Sequence, residues 1–442
     1  MTRRGAFAAL LATALAAGVA SCGGSGRAPF TIGVIVDCQG AFRGLHDQEL
    51  AGASLPLLTR GAAPSRDPAS DAPGPVTVAG RRVRLVPACA ESGEFASLTQ
   101  AARTLVGRER ADVVVDGGPF TVDGIVLHEI AARHPGAIYL SAGNGPREVT
   151  LRGAAPSLYR FAADQTQGGA GLAAYAYRRL GWRRAAVAVE DWGAGWQPET
   201  AFTREFCALG GRVVRRTSLE SLSPSAAQAR GVPPRNADGL VVFASPFFMN
   251  GDLLRALARA TGDPSRRLLL GPEIVGDGEL LRDAGRVLAG VVGSSYTVPP
   301  ADSPAVRDYR RAFSRFYPGS LLRAAGDPLV VGYRNAVEAT LQALQRAGGE
   351  PGPGLRRLRA QLAATDTRLL GIPVRLDARH QAVVSATLVR VGRAHPGAVP
   401  PLRRVATIPG VDATLGGLVP AGYVPSSAGP GACRERTARA RG

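Results

Sequence analysis

The sequence predicts an α/β protein with two Rossmann-like lobes, each built on a parallel β-sheet and joined to the other by several chain crossovers. Short apolar strands alternate with amphipathic helices from residue 30 onward, and this alternation restarts after residue 161. Of the 442 residues, 45% are hydrophobic and 20% are charged, a balance that suits two globular cores.

Lobe 1 is predicted over residues 30–161. Its first strand, Thr31–Val36, is β-branched except at Gly33, which is typical of a strand buried on both faces. Residues 61–75 are polar and rich in proline and predict a surface loop. Apolar periodicity predicts the remaining elements, in order helix Asp47–Leu58, strand Arg82–Pro87, helix Ser97–Val106, strand Asp112–Asp116, helix Asp123–Arg133 and strand Ala137–Ser141.

Lobe 2 is predicted over residues 162–292 by the same alternation. Its elements are helix Gln165–Leu180, strand Ala185–Glu190, helix Glu199–Leu209, strand Arg212–Thr217, strand Gly239–Ala244, helix Asp252–Thr261 and strand Arg267–Gly271. Helices Ala305–Phe316 and Asp327–Ala347 predict a return to lobe 1 over residues 293–370, and residues 371–392 are assigned to lobe 2 again. Residues 393–442 are rich in Pro, Gly and Arg and predict a largely irregular tail.

Residues 1–22 have the parts of a lipoprotein signal peptide. A basic start at Arg3-Arg4 precedes the apolar stretch Ala6–Ala20, which is shorter than the ~20 residues that span a bilayer. Val19-Ala20-Ser21-Cys22 is similar to a bacterial lipobox, in which small residues precede the cysteine that receives lipid. We therefore expect lipidation of Cys22, with residues 23–29 as a flexible tether. Ordinary secretion without lipid is the alternative.

The cysteine count indicates an oxidising compartment. Acylation of Cys22 leaves four of the five cysteines, an even number. Cys38 follows the first strand and Cys89 the second, and the ends of neighbouring parallel strands lie close together, so we expect a Cys38–Cys89 disulfide. Cys207 and Cys433 would form the remaining pair, unless Cys207 is a buried thiol.

The net charge is +18, and all 53 basic residues are arginine. Such an excess would suit a polyanion such as nucleic acid. The arginines are scattered rather than clustered, however, and an exported protein does not meet DNA, so we expect no nucleic-acid partner. Attraction to anionic lipid headgroups or wall polymers is an alternative.

Seven short motifs lie at strand ends and helix starts. They are Ile32-Gly33-Val34, Gly118-Pro119, Ser141-Ala142-Gly143, Tyr159-Arg160-Phe161, Gln165-Thr166-Gln167-Gly168, Trp192-Gly193-Ala194-Gly195 and Leu270-Gly271-Pro272-Glu273. In this order, and over about residues 30–391, the chain resembles the leucine/isoleucine/valine-binding branch of the type 1 periplasmic binding proteins. The resemblance implies a type 1 periplasmic binding fold with a solute site between its lobes.

The resemblance also implies how an amino-acid solute would be held. Hydroxyl and backbone N–H groups of lobe 1 would bind the carboxylate at Thr121, Gly143 and Gly145, as oriented N–H groups suit an anion. A carboxylate of lobe 2, Glu273, would bind the ammonium group. A solvent-exposed loop acid or a helix cap is the alternative role for Glu273.

Aromatic residues are expected around the same site. Trp192 matches the residue that closes over the ligand from lobe 2, with core or hinge packing as its alternative role. Phe247 stands next to the position where the family has a tyrosine. Phe42, Phe120 and Phe248 also fall in cleft-side loops, where exposed aromatic surface indicates a ligand contact or a closed interface.

The chain departs from the family at several hydroxyl positions. Phe120-Thr121-Val122 stands where the family has paired hydroxyl residues, and Asn144-Gly145 stands where it has Ala–Thr. Fewer hydroxyl contacts imply a solute other than a branched-chain amino acid, or a weakened site.

No enzyme signature is present, so we expect neither catalysis nor a cofactor. Residues 169–174 fit a loose dinucleotide pattern but lie within a predicted helix. A Walker-type loop needs lysine, which is absent, and the five histidines lack metal-site spacing.

The resemblance implies a monomer that captures a small polar solute, an amino acid or an amino-acid-like compound. It would deliver the solute to the permease and ATPase subunits of an ABC importer, while lipid holds it on the extracytoplasmic side of the cell membrane. A ligand-sensing lipoprotein that signals to a membrane receptor without transport is the alternative.

Overall fold

The structure, a computed structural model, describes residues 27–68, 70–118, 121–143, 145–151, 155–219, 223–295, 303–319, 327–364, 367–431 and 433; the side chain of residue 121 is not described. The predicted signal peptide, the lipidation site Cys22, Phe120 and Asn144 lie outside these residues.

Lobe 1 is built on a six-stranded sheet in the order β2-β3-β1-β4-β5-β6. Its strands are β1 (Phe30–Asp37), β2 (Val76–Val78), β3 (Arg81–Ala90), β4 (Val113–Asp116), β5 (Ile138–Ser141) and β6 (Leu158–Arg160). All neighbours pair in parallel except β2 with β3. Every residue of β1 is buried, because helices cover both faces of the sheet.

The helices of lobe 1 come from two parts of the chain. They are α1 (His46–Leu58), α2 (Phe95–Arg103), α3 (Thr121–Arg133), α4 (Glu148–Leu151), α12 (Pro304–Phe316), α13 (Pro328–Arg346) and α14 (Arg356–Ala363). Helix α13 packs its apolar face into the same core cluster as β1, and α12 packs against α1. The late helices therefore complete the first lobe.

Lobe 2 contains the first five strands of a nine-stranded sheet, which pair in parallel in the order β11-β10-β9-β7-β8. These strands are β7 (Arg184–Glu190), β8 (Arg212–Leu219), β9 (Gly239–Phe243), β10 (Leu268–Leu270) and β11 (Val292–Ser295). Its helices are α5 (Gln165–Gly168), α6 (Leu172–Arg178), α7 (Gly193–Ala208), α8 (Gly251–Ala260), α9 (Pro264–Arg267), α10 (Pro272–Gly276) and α11 (Gly278–Ala284).

The remaining four strands link the lobes, and each pairs antiparallel with its neighbours. They are β12 (Thr367–Leu369), β13 (Ile372–Leu376), β14 (Ala382–Val391) and β15 (Leu402–Val411). Strand β14 pairs with β11 in lobe 2, whereas Leu369 of β12 and Val374 of β13 pack into the core of lobe 1. The chain thus passes between lobes after β6, between β11 and α12, and between β13 and β14. A mixed α/β architecture with two mainly parallel sheets was predicted and is confirmed.

Two expected details of the lobe assignment differ from the structure. Residues 293–295 belong to β11 in lobe 2 rather than to lobe 1, and residues 371–376 pack with lobe 1 rather than lobe 2. The single helix predicted over Gln165–Leu180 is divided into α5 and α6, because Gly171 adopts a positive φ of 82° and starts a new helix.

The irregular tail predicted over residues 393–442 is also corrected, because β15 pairs antiparallel with β14. Register shifts lie between Val384 and Ala386 and between Leu388 and Val389 on β14, each opposite an extra residue on β15. These bulges interrupt the period of two that identifies a strand in a sequence. Ile408 of β15 still packs against the core of lobe 2.

Both expected disulfides are present. Cys38 and Cys89 are joined at the ends of β1 and β3, with their Cα atoms 5.4 Å apart. Cys207 of α7 is joined to Cys433, with their Cα atoms 5.3 Å apart. The first bridge lies within lobe 1, and the second attaches the C-terminal segment to lobe 2.

Candidate functional site

Loops at the carboxyl ends of the two parallel sheets meet between the lobes. A 3₁₀ turn, Gly40–Leu45, follows β1 in lobe 1, and residues 244–250 follow β9 in lobe 2. The ring centroids of Phe42 and Phe247, one from each loop, lie 5.0 Å apart with the rings at 89°. This edge-to-face arrangement is favourable for two aromatic rings. The two lobes therefore touch at the cleft through these side chains.

Two of the predicted aromatic residues present surface on the lobe-2 side. Trp192 directly precedes α7 and is 48% exposed, and Phe247 is 46% exposed. Phe248 is instead buried in the core of lobe 2, so the expectation that it faces the cleft is wrong. Adjacent residues of this loop point in different directions, and only the structure distinguishes them.

The predicted glycines of lobe 1 lie in the loop after β5. A Cβ atom on Gly143 would lie 2.3 Å from the carbonyl oxygen of Gly117, which follows the neighbouring strand β4. Only glycine fits this close approach of two backbones. Gly145 has more room, and its carbonyl accepts hydrogen bonds from the Gln165 N–H (3.3 Å) and from Arg160 Nη1 (3.4 Å). Gly145 thus lies where lobe 1 meets the start of lobe 2.

The other predicted residues begin helices. Thr121 is the first residue of α3 in lobe 1, after the loop that follows β4. Glu273 lies in the first turn of α10 in lobe 2 and is half-buried. Both positions follow the carboxyl ends of parallel strands, where open α/β sheets bind their ligands.

Four buried carboxyl groups lie beneath the loops of lobe 1, at the ends of β1 and β4 and near the starts of α1 and α3; they are Asp37, Glu49, Asp116 and Asp123. The Asp37 N–H donates to Glu49 Oε2 at 2.6 Å. The N–H and hydroxyl of Ser92 donate to the two Asp37 oxygens at 2.7 and 2.8 Å. Gly93 N–H donates to Asp123 Oδ1 at 3.0 Å. These hydrogen bonds link the loop after β3 to the end of β1 and to the first turn of α3.

Burial raises the pKa values of Asp37, Glu49 and Asp116, and neighbouring carboxylates raise those of Glu49 and Asp116 further. A cluster of this kind retains protons at pH values where isolated carboxyls are ionised. It therefore acts as a hydrogen-bonded support for the loops.

Tyr333 of α13 fixes the same edge of the sheet. Its buried hydroxyl donates to the Ile35 carbonyl of β1 at 2.6 Å and accepts from the Gly117 N–H at 2.9 Å. A Cβ on Gly117 would lie 2.2 Å from the Tyr333 ring, so this loop needs glycine as well. Helix α13 thus holds β1 and the loop after β4 at fixed positions.

A comparable carboxyl group ends the first strand of lobe 2. Glu190 Oε2 accepts from the N–H (2.6 Å) and the hydroxyl (2.7 Å) of Ser245, which follows β9. Glu190 Oε1 is buried and has no hydrogen-bond partner in the part of the chain that the structure describes. Burial raises the pKa of Glu190 to about 7, despite the two bonds from Ser245.

The junction between the lobes contains a buried polar network. Arg160, at the end of β6, is fully buried and donates to the Pro146 carbonyl at 2.9 Å. The Gln381 side chain donates to the Ala162 carbonyl (2.9 Å) and to Gln167 Oε1 (3.1 Å), where two chain crossings run side by side. Burial lowers the pKa of Arg160 to about 10, so the group still carries its charge at neutral pH.

The buried carboxyl groups and Tyr333 were not among the predicted site residues, and Arg160 and Gln167 of the junction were noted only as parts of family motifs. An acid as the last residue of a buried apolar strand is a visible signal at Asp37, Asp116 and Glu190, because burying a carboxyl group needs compensating partners. No local sequence pattern indicates the role of Tyr333, because its hydrogen-bond partner Ile35 is 298 residues away in the chain.

The described ranges contain no group of three or more His, Cys, Asp or Glu side chains arranged to hold a metal ion. None of the helices in these ranges is long and apolar enough to span a membrane.

The sequence matches the model of the periplasmic binding protein family over residues 29–396. The chain belongs to the periplasmic binding protein family. No curated protein matches it by sequence.

Solved structures share the periplasmic binding protein fold at low sequence identity. An ABC transporter substrate-binding protein from Sphaerobacter thermophilus superposes with a TM-score of 0.71 at 21% identity, covering 87% of this chain and 99% of that one. A solute-binding protein of an ABC transporter from Rhodopseudomonas palustris BisB5, in complex with 3,4-dihydroxybenzoic acid, gives 0.68 at 18% identity, covering 87% and 98%. The leucine-binding protein LivK from Thermotoga maritima gives 0.64 at 17% identity, covering 86% and 99%.

These similarities define the architecture of this periplasmic binding protein. The Rhodopseudomonas palustris protein is in complex with an aromatic acid, whereas LivK is named as a leucine-binding protein. The fold therefore accommodates both classes, and the residues in the cleft must select between them.

Proposed function

We propose that this periplasmic binding protein is the extracytoplasmic solute-binding subunit of an ABC importer, held to the membrane by lipid on Cys22. It captures a small carboxylate-bearing solute between its lobes and delivers it to permease and ATPase subunits. The contact of Phe42 with Phe247 supports this most directly, because it joins loops from the ligand-binding edges of both sheets. A solute enclosed there contacts both lobes and favours their closed arrangement.

An amino acid or amino-acid-like compound is the first proposed solute. Its carboxylate would bind backbone N–H groups at Gly143 and Gly145 and the hydroxyl of Thr121. The buried, charged guanidinium of Arg160 contacts the Gly145 and Pro146 carbonyls directly beneath and favours an anion there. The Glu273 carboxylate would bind the ammonium group from lobe 2, while Trp192 and Phe247 cover the side chain.

An aromatic acid is the second proposed solute. Trp192 and Phe247 are each nearly half exposed on the lobe-2 side, and Phe42 stands opposite Phe247. Planar aromatic surfaces favour stacked or edge-to-face contacts with such rings. Solute-binding proteins of the same fold from Rhodopseudomonas palustris are in complex with 3,4-dihydroxybenzoic acid, benzoate and 4-hydroxybenzoate.

A thermal-shift screen of the chain starting at residue 23 tests the proposal, followed by titration calorimetry on any compound that stabilises it. A solute present at a hundredfold excess over Kd stabilises a protein by about 2.7 kcal/mol. The library should contain amino acids, amino-acid amides and benzoates. If no small solute raises the melting temperature, the binding function is contradicted.

Glu273→Gln separates the two solute classes. The variant keeps the size of the side chain and removes its charge, so it should weaken an amino acid strongly and leave a benzoate nearly unaffected. An amino acid that binds the variant and the parent equally well would contradict the ammonium role of Glu273. Glu279→Gln, on the adjacent helix α11, is the matched control.

The lipid anchor requires its own test. Cells expressing the full chain should incorporate radiolabelled palmitate into it, and Cys22→Ala should abolish the labelling. Labelling that survives in the variant would show that Cys22 is not the lipidated residue.

A further inference from the structure

The segment that follows β15 crosses the boundary between the lobes. The match to the periplasmic binding protein family ends at residue 396, so this segment lies beyond the family domain. We call the described residues 412–431, together with Cys433, the C-terminal strap. Its first turn is fixed by Asp412, whose Oδ1 accepts from the Thr414 N–H and hydroxyl, both at 2.7 Å.

The strap is fixed to lobe 2 at both of its ends. At the start it continues from β15, and the Val411 carbonyl accepts a bond of 2.8 Å from the Gln167 amide of α5. Towards the other end, the Arg204 guanidinium of α7 lies 5.2 Å from the Tyr423 ring centroid. The Cys207–Cys433 disulfide then closes the attachment covalently.

The first half of the strap contacts lobe 1 through the side chain of Arg147. Arg147 lies between β5 and α4, and its Nη2 donates to the Ala413 carbonyl (2.9 Å) and the Pro420 carbonyl (3.3 Å). Arg147 is 0% exposed. Hydrogen bonds from a charged donor are the stronger class, and a buried guanidinium depends on such acceptors.

Arg147 also stands at the lobe junction itself. Its backbone N–H donates to Gln197 Oε1 of α7 at 2.9 Å, and the Gln197 amide donates to Glu148 Oε2 at 3.1 Å. Movement of one lobe against the other must therefore change the distance from Arg147 to the strap or to α7. These contacts coexist with the Phe42–Phe247 contact across the cleft.

We propose that the C-terminal strap is a hinge restraint, which stabilises the arrangement with touching cleft loops by holding Arg147 of lobe 1 against lobe 2. Without the strap, a larger fraction of molecules adopts an open arrangement. The apparent Kd for a solute equals the intrinsic Kd divided by the closed fraction, so affinity falls as the closed fraction falls. The affinity part of this inference rests on the proposed solute-binding function, whereas the lobe arrangement does not.

Two shortened chains form a matched pair for the test. One stops after Val411, keeps β15 and loses the strap, with Cys207→Ser to avoid a free thiol. The other stops after Cys433 and keeps the strap. Interlobe distance is measured by single-molecule energy transfer between dyes on unnatural residues at Glu94 and Glu279, which are exposed on lobes 1 and 2.

The chain that stops after Val411 should show longer interlobe distances without solute, and the chain that stops after Cys433 should match the full chain. Calorimetry with L-leucine and 4-hydroxybenzoate as probes should show a Kd about fivefold weaker for whichever probe binds the full chain. Arg147→Gln should shift the distances in the same direction, and Arg282→Gln, which changes a lobe-2 surface arginine, should not.

Identical distance distributions in the two shortened chains, with both melting cooperatively, would overturn the inference. If the chain that stops after Val411 does not fold, the full chain with Cys207→Ser and Cys433→Ser replaces it in the test. This double variant releases one end of the strap and should lengthen the interlobe distances. If neither probe binds the full chain, solute binding by these compounds is contradicted while the comparison of distances still stands.

Discussion

The two lobes end their first strands in the same way but surround those ends with different chemistry. Asp37 in lobe 1 accepts from the N–H and hydroxyl of Ser92, and Glu190 in lobe 2 accepts from the same groups of Ser245. In each lobe the acid thus holds the loop that follows a neighbouring strand.

The difference lies in what surrounds each acid. Asp37 lies among three further buried carboxyl groups, and the nearby loops are fixed by Tyr333 and by close backbone contacts. Glu190 has one oxygen without a partner among the described residues, and the loops around it carry exposed Trp192 and Phe247. The loops of lobe 1 are thus held by more buried contacts than those of lobe 2, which present aromatic surface.

Gly143→Ala should have the largest effect, because the new Cβ would lie 2.3 Å from the Gly117 carbonyl oxygen. A clash with backbone cannot be relieved by a side-chain rotation, so we expect a loss of about 3 kcal/mol in unfolding free energy by urea denaturation. Gly145→Ala is the control, since its Cβ would meet its nearest atom at 3.4 Å. Equal stability of the two variants would show that the lobe-1 loops are not rigid.

Glu190→Gln tests the isolated acid of lobe 2 through pH. Burial raises the folded-state pKa to about 7 from an ordinary 4.5. A raised pKa means that the contribution of the group to stability is complete below pH 4.5 and is lost as the pH rises through 7. The stability of the variant relative to the parent should therefore increase by about 3 kcal/mol between pH 4.5 and 8.5.

Asp238→Asn is the control for this pH dependence. Partial burial acts to raise the pKa of Asp238, but hydrogen bonds from Arg183 and Arg184 together lower it, so its ionisation lies below the measured range. A relative stability of Glu190→Gln that does not change with pH would contradict the buried, partly unpartnered state of Glu190.

Tyr333→Phe removes the hydroxyl that links β1 with the loop after β4. Both the Ile35 carbonyl and the Gly117 N–H then lose a buried partner, so the unfolding free energy should fall by about 2 kcal/mol. Tyr139→Phe removes one bond to the His134 carbonyl and should cost less. If Tyr139→Phe lowers the unfolding free energy more than Tyr333→Phe does, Tyr333 does not fix the loops of lobe 1.

Phe247→Ala should have the smallest effect on stability and a measurable effect on binding. The side chain is 46% exposed, so the unfolding free energy should change by less than about 1 kcal/mol. Loss of its contact with Phe42 and with the solute should weaken binding by about fivefold, measured by calorimetry. Phe95→Ala, at 47% exposure in lobe 1, is the matched control and should leave the Kd unchanged.

The regular elements could be predicted because their apolar periods are local. The Cys38–Cys89 bridge could also be predicted, since parallel strands in sequence order bring their ends together. Strand β15 could not, because two bulges interrupt its pattern. The supports of the site depend on distant pairs such as Tyr333 with Ile35, which no local pattern specifies.

The sequence predicted which loops line the cleft, but not which side chains of those loops are exposed there. A family resemblance locates loops, but it does not say which of two adjacent phenylalanines is buried. Phe248 lies in the core and Phe247 at the surface, although both follow the same strand. The direction of a loop side chain depends on its tertiary neighbours.

The two disulfides impose an order on thiol oxidation in an exported chain that emerges with its N-terminus first. Cys38 and Cys89 are separated by 51 residues, so both are available while most of the polypeptide is still inside. Cys207 cannot pair until Cys433, 226 residues later in the chain, has also been exported. If Cys22 carries lipid, as proposed, the earlier pairing leaves Cys207 without a competing free thiol during that interval, which disfavours mispaired bridges before lobe 2 is complete.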